Sequence, residues 1–102
     1  MGNKCNIKMK SYSVYKVPKG KLLKIFLEYN KKNNHIESLK ITGDFFAYPE
    51  EAVEIMEDRL KDSVLKREFL LEKIQSVIRE YNIEFIGLNA EGLVDGILMC
   101  LK

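Results

Sequence analysis

Tryptophan is absent from this 102-residue chain, histidine occurs once, and proline and cysteine occur twice each. Each scarcity removes a class of function. Cys5 and Cys100 stand near opposite ends with no CxxC spacing. His35 alone cannot complete a usual zinc set, so the cysteines read as two free thiols of a reducing compartment. The apolar runs are short, residues 25–27 for example, whereas a membrane-spanning helix needs about 20 such positions. No apolar signal core follows the first five residues, and Asn6 stands where a myristoylation signal wants Ser or Thr. These absences predict a cytoplasmic protein with no membrane partner.

Catalytic signatures are equally scarce. There is no GxGxxG and no GxxxxGK[ST], and Gly20-Lys21 alone is too short to cradle a phosphate. His35 lies beside a polar stretch without a nearby nucleophile and reads as a surface residue. The neighbouring acids Glu50/Glu51 and Glu57/Asp58 would point different ways on a helix, which suits no acid/base pair. Nothing in the chain looks able to run a reaction alone, and no residue is assigned a catalytic or metal-binding role.

What is present suits one domain with its own core. The composition is 46% hydrophobic and 31% charged. The net charge of +2 conceals a split. Residues 1–42 hold ten lysines against two acids, for +8, while residues 43–102 hold thirteen acids against seven bases, for −6. Such a division can mark a face built to meet an acidic partner, or a solvated lysine-rich surface.

Along the chain, residues 1–11 are lysine-rich and predict a flexible arm. Residues 12–17 are aromatic and β-branched, as in a strand, and Pro18-Lys19-Gly20 predicts a turn. Leu23, Ile25, Leu27 and Tyr29 alternate with Lys24 and Glu28, the period of a half-buried strand. Phe26 interrupts the polar side. After a polar loop at 30–34, a third strand spans 35–42, which completes an antiparallel meander. Pro49 is placed at the first position of a helix reaching residue 61, where Glu50 and Glu51 would favour the helix dipole. A second helix spans 64–81 with Ser63 as N-cap and Leu70, Ile74, Val77, Ile78 and Tyr81 inward. Residues 83–87 form an extended link or one more strand. Asn89 would cap a last helix that buries Leu93, Val94, Ile97, Leu98 and Leu101. The fold class is therefore α+β: a three-stranded antiparallel sheet with about three helices on one face.

Two segments bear on function. Tyr12, Tyr15, Phe26 and Tyr29 are interleaved with Lys16, Lys19, Lys21 and Lys24, a pattern that can stack bases and attract phosphates. The glycine-aromatic signature of an RNA-recognition motif is missing, however, and the strand alternation draws at least two of these rings into the core. A nucleic-acid-binding module is thus the alternative and not the leading reading. The sharper segment is Ile41-Thr42-Gly43-Asp44-Phe45-Phe46 followed by Pro49-Glu50-Glu51. Gly43 permits a conformation closed to other residues, and Asp44 could accept turn N–H groups. Two successive phenylalanines cannot both enter one small core, so one is left for a partner.

That segment, with Lys19-Gly20-Lys21-Leu22 before it and Ile83-Glu84-Phe85-Ile86-Gly87-Leu88 after it, resembles the C-terminal accessory domain of lipoate–protein ligases. The resemblance covers roughly residues 14–100 and implies a single accessory domain over residues 12–102. It implies a fold like that of SufE and the iron–sulfur scaffold proteins. Neither cysteine lies by the Gly-Asp corner, which argues against a cluster scaffold as the function. In the family, a catalytic domain uses ATP, Mg and lipoate to make lipoyl-adenylate and passes the lipoyl group to a lysine of an acceptor domain. This chain carries only the accessory part. The resemblance therefore implies a heterodimer with a separate catalytic subunit, indirect dealings with lipoyl acceptor domains, and no cofactor held by this chain alone. Lys21, Gly43, Asp44, Phe45, Phe46 and Pro49 are implied as residues that shape the domain and its interface. Lys21 is either near the adenylate phosphate or a solvated lysine at a strand end.

Overall fold

A computed structural model describes residues 8–17 and 20–101. The strands β1 (Lys8–Lys16), β2 (Leu22–Asn30) and β3 (His35–Gly43) form one antiparallel sheet in that order. A short strand β4 (Phe46–Tyr48) leads to helices α1 (Ala52–Arg59) and α2 (Arg67–Tyr81). Strand β5 (Glu84–Ile86) and helix α3 (Ala90–Met99) follow.

The alternation of β2 sets the layers. Leu23, Ile25 and Leu27 are buried beneath the helices, while Lys24 and Phe26 face out. Ile25 lies across from Ile41, and Leu27 across from Leu39. Each such side chain gains about 1.5–3 kcal/mol from full burial. Helix α3 packs on β1 and β2, α1 packs on β3, and α2 closes the layer against both helices. Ala52, Met56 and Leu60 face inward from α1 and its end, Leu70, Ile74 and Val77 from α2, and Leu93, Val94 and Ile97 from α3. Helix α3 approaches closely: a Cβ on Gly96 would stand 2.7 Å from Leu23 Cδ2. Ser13 Oγ donates to the Gly96 carbonyl at 2.8 Å in the same contact.

Several expectations are corrected. Lys8 to Ser11, predicted as part of an arm over residues 1–11, belong instead to β1 and pair with Asn30 to Leu27. Lys8 Nζ is held there by Glu28 at 3.5 Å and Glu37 at 3.4 Å, and Ser11 Oγ donates to the Cys100 carbonyl. Residues 1–7 lie outside the described residues, as do Pro18 and Lys19 of the predicted turn. The flanks of that turn are closed by Gly20 N–H to Val17 O at 2.8 Å and Val17 N–H to Lys21 O at 3.2 Å.

Pro49 does not open α1. It ends β4, and its carbonyl accepts the Ala52 N–H at 2.9 Å, so the helix begins three residues later with Glu54 in its first turn. Ser63 is not an N-cap. The edge of β3 captures its segment, through Ile36 N–H to Ser63 O at 2.9 Å and Asp62 N–H to Ile36 O at 2.7 Å. Helix α2 therefore starts at Arg67 behind an extended Lys66. Tyr81 does not join the core but stays 38% exposed, with its hydroxyl accepting from Arg59 Nη1 at 3.0 Å. Asn89 does cap α3, accepting the Gly92 N–H at 2.6 Å. Leu101 is exposed, because the helix ends at Met99 and Cys100 fills the inward place instead. Burial raises the Cys100 thiol pKa above its ordinary value, partly offset by the hydrogen bond to Ser13.

Candidate partner interface

Three segments that are distant in sequence meet at one end of the sheet. They are the start of β2, the exit of β3 and the end of β5. The Lys21 N–H donates to the Gly87 carbonyl at 2.9 Å, and the Asp44 N–H donates to the Leu22 carbonyl at 3.0 Å. Both hydrogen bonds join backbone to backbone, so the corner is fixed by main chain and not by mobile side chains.

Two glycines make this close approach possible. Gly43 has φ +153° and lies beside β2, where an added Cβ would stand 2.3 Å from the Leu22 carbonyl oxygen. Gly87 has φ +90°, a region L side chains rarely adopt, and an added Cβ would meet Lys21 Cγ at 2.5 Å. The Lys21 stem therefore lies over Gly87, and Phe45 Cβ stands 3.6 Å from the same Cβ position.

Beyond the corner, β4 and β5 pair antiparallel, with Phe46 opposite Ile86, Ala47 opposite Phe85 and Tyr48 opposite Glu84. The side chains of this ribbon divide by period two. Ala47 and Phe85 turn inward, and Phe85 meets Phe45 edge to face with centroids 6.0 Å apart. The opposite face turns out: Phe46 is 64% exposed, Tyr48 58% and Ile86 49%. The two phenylalanines thus divide as their adjacency requires, Phe45 sealing the sheet and Phe46 left open.

Of the residues singled out from sequence, Lys21, Gly43, Asp44, Phe45 and Phe46 are brought together here. Pro49 stands just beyond, at the end of β4. Asp44 departs from its expected role. Its carboxylate accepts no hydrogen bond among the described residues, and its contribution to the turn is its own N–H. Sequence reasoning missed Tyr48, Phe85, Ile86 and Gly87 as parts of the site. Their signal was the short alternation in Phe46-Ala47-Tyr48 and Glu84-Phe85-Ile86, which is legible only once the two segments are known to pair.

The arrangement can bind and position. His35 sits at the start of β3, with its N–H on Asn33 Oδ1 at 3.0 Å, away from the corner. Among the described residues, no three His, Cys, Asp or Glu side chains group to hold a metal ion, and no helix is long and apolar enough to cross a membrane.

Known proteins resemble this chain in both sequence and fold. The family model described as bacterial lipoate protein ligase C-terminus matches residues 10–97. "Lipoate-protein ligase A subunit 2" of Thermoplasma acidophilum is 34% identical over 67 residues, a stretch covering 66% of this chain and 62% of that protein. A chain from the solved structure of a bi-partite lipoate protein ligase and its E2 lipoyl domain, from the same organism, superposes with a TM-score of 0.65 at 30% identity. The match covers 88% of this chain and 96% of that one.

Proposed function

The chain belongs to the bacterial lipoate protein ligase C-terminus family, and from that premise we propose that it is the accessory subunit of a two-part lipoate–protein ligase. In this reading it makes and breaks no bonds itself. It docks on a separate catalytic subunit that binds ATP, Mg and lipoate, and it supports activation of lipoate to lipoyl-adenylate before transfer to an acceptor lysine. The observation that carries the reading is the corner of the sheet. A frame held by backbone hydrogen bonds presents Phe46, Tyr48 and Ile86 as an apolar surface with no covering element among the described residues. Exposed aromatic clusters of this kind are the usual anchors of a protein interface. The similarity to a subunit of a bipartite ligase supports the same assignment.

Lys21 has a distinct part in this proposal. Its backbone is fixed on Gly87, so its ammonium group is carried at the rim of the docking surface, where it can offset negative charge on the phosphates of a nucleotide held by the partner. Docking and charge compensation then rest on different residues. A mixture of this chain and the catalytic subunit should co-elute on size exclusion and lipoylate an acceptor domain. Lys21→Ala should preserve co-elution while slowing adenylation roughly tenfold. Failure of the wild-type chains to co-elute, with no stimulation of lipoylation, would refute the proposal.

A further inference from the structure

The outer face of the three-stranded sheet carries a second apolar surface, remote in sequence from the β4–β5 ribbon. Tyr12, Val14 and Phe26 are each about half exposed there, and Phe26 on β2 lies opposite Tyr12 of β1 and Lys40 of β3. Lysines surround this centre: Lys10 and Lys16 on β1, Lys24 on β2, Lys40 on β3. None of these four has a carboxylate within ion-pair distance among the described residues. The ribbon is the electrostatic converse. Its exposed Phe46, Tyr48 and Ile86 are bordered by Glu84, which pairs with Tyr48, and by Glu50, Glu51 and Glu54 around the start of α1, four carboxylates that outnumber the Lys21 ammonium at the corner.

We infer that these two surfaces are complementary to each other, and that the isolated chain associates head to tail, the lysine-rimmed sheet face of one copy on the acid-rimmed ribbon of the next. An apolar centre with a charged rim is the composition of a protein interface, and opposite rims select the pairing. Packing of two sheet faces on one another is disfavoured by the four lysines each would bring. Single-stranded nucleic acid is a poorer occupant. Tyr12 and Phe26 lie against each other with centroids 4.5 Å apart, Val14 offers no ring, and Glu28 and Glu37 place carboxylates at one margin. Because two different patches meet, the contact is heterologous and does not close at two copies. The inference concerns the chain alone and stands whether or not the ligase reading holds. If both hold, self-association covers Phe46 until a catalytic subunit displaces the neighbouring copy.

Sedimentation velocity on the purified chain provides the test. The weight-average mass should rise at least twofold between about 10 µM and about 1 mM at low salt and fall back toward the monomer at about 0.5 M salt, as screened charges require. Lys24→Glu/Lys40→Glu damages only the sheet face, and Glu50→Lys/Glu84→Lys only the ribbon; these positions lie outside the helices and the core. Each variant alone should remain monomeric with an unchanged thermal transition. An equimolar mixture should associate again, since one sound sheet face then meets one sound ribbon and the two charge-reversed surfaces are once more opposite in sign. A monomer at all concentrations would overturn the inference, including one that binds a single-stranded oligonucleotide instead. So would assembly that persists in each variant alone, or a mixture that stays monomeric.

Discussion

Truncating Phe46 separates docking from folding. The ring is 64% exposed. A phenylalanine buries roughly 200 Å² when fully enclosed, so roughly 130 Å² remains available to a partner. At about 25 cal/mol per Å² that surface is worth about 3 kcal/mol, and the methyl group kept in Phe46→Ala reduces the loss to about 2–2.5 kcal/mol. A change of that size weakens binding to the catalytic subunit roughly 30- to 60-fold, while stability stays within about 0.5 kcal/mol of wild type because no core contact is removed. Isothermal titration calorimetry against the catalytic subunit, with urea unfolding of the free chain, reads both quantities. A dissociation constant within twofold of wild type would refute the assignment of Phe46 as an anchor. A stability loss above about 1 kcal/mol would show instead that the ring belongs to the core.

Gly43→Ala should cost about 2–4 kcal/mol in urea unfolding, since the new Cβ would stand 2.3 Å from a backbone oxygen of β2 and only a shift of the strand can relieve it. Glu57 Oε2 accepts the Ile41 N–H at the edge of β3 at 2.7 Å. Glu57→Ala should therefore lose about 1–2 kcal/mol, and Glu57→Gln, which retains an acceptor, less than half of that. Cys100 is buried with its thiol pKa raised. In a Cys5→Ser background it should resist iodoacetamide at pH 8 until the chain is unfolded. The sign for stability follows from the neutral thiol being favoured in the fold. Its contribution is whole below the unfolded thiol value of about 8.5 and is lost as pH climbs from there through the folded value. Cys100→Ala should flatten that alkaline decline.

The sheet was legible because β2 alternates without a break on its inner side, and because the polar loop before His35 contains an asparagine able to take the left-handed conformation that Asn34 adopts at φ 57°. The last helix was legible from Asn89 and the apolar spacing behind it. The start of α2 was not: Ser63 has the right chemistry for a cap, but the backbone of residues 62–65 finds partners on β3 and its neighbouring turn, a tertiary competition that no local propensity reveals. Pro49 misled for a related reason, since the pairing of Tyr48 with Glu84 holds the chain extended up to the proline. At the corner, the division between Phe45 and Phe46 could be reasoned from their adjacency. Which ring would turn outward could not, because the choice depends on Phe85, forty residues away. The same long-range pairing hid Gly87, whose need for a bare Cα arises from Lys21 lying over it.

The most direct measurement is lipoate-dependent release of pyrophosphate from ATP by the separate catalytic subunit, with and without stoichiometric amounts of this chain. A subunit that completes the adenylation site should raise the initial rate at least tenfold, saturating at one equivalent, while this chain alone releases nothing. An unchanged rate at saturating chain, or release by the chain on its own, would contradict the account.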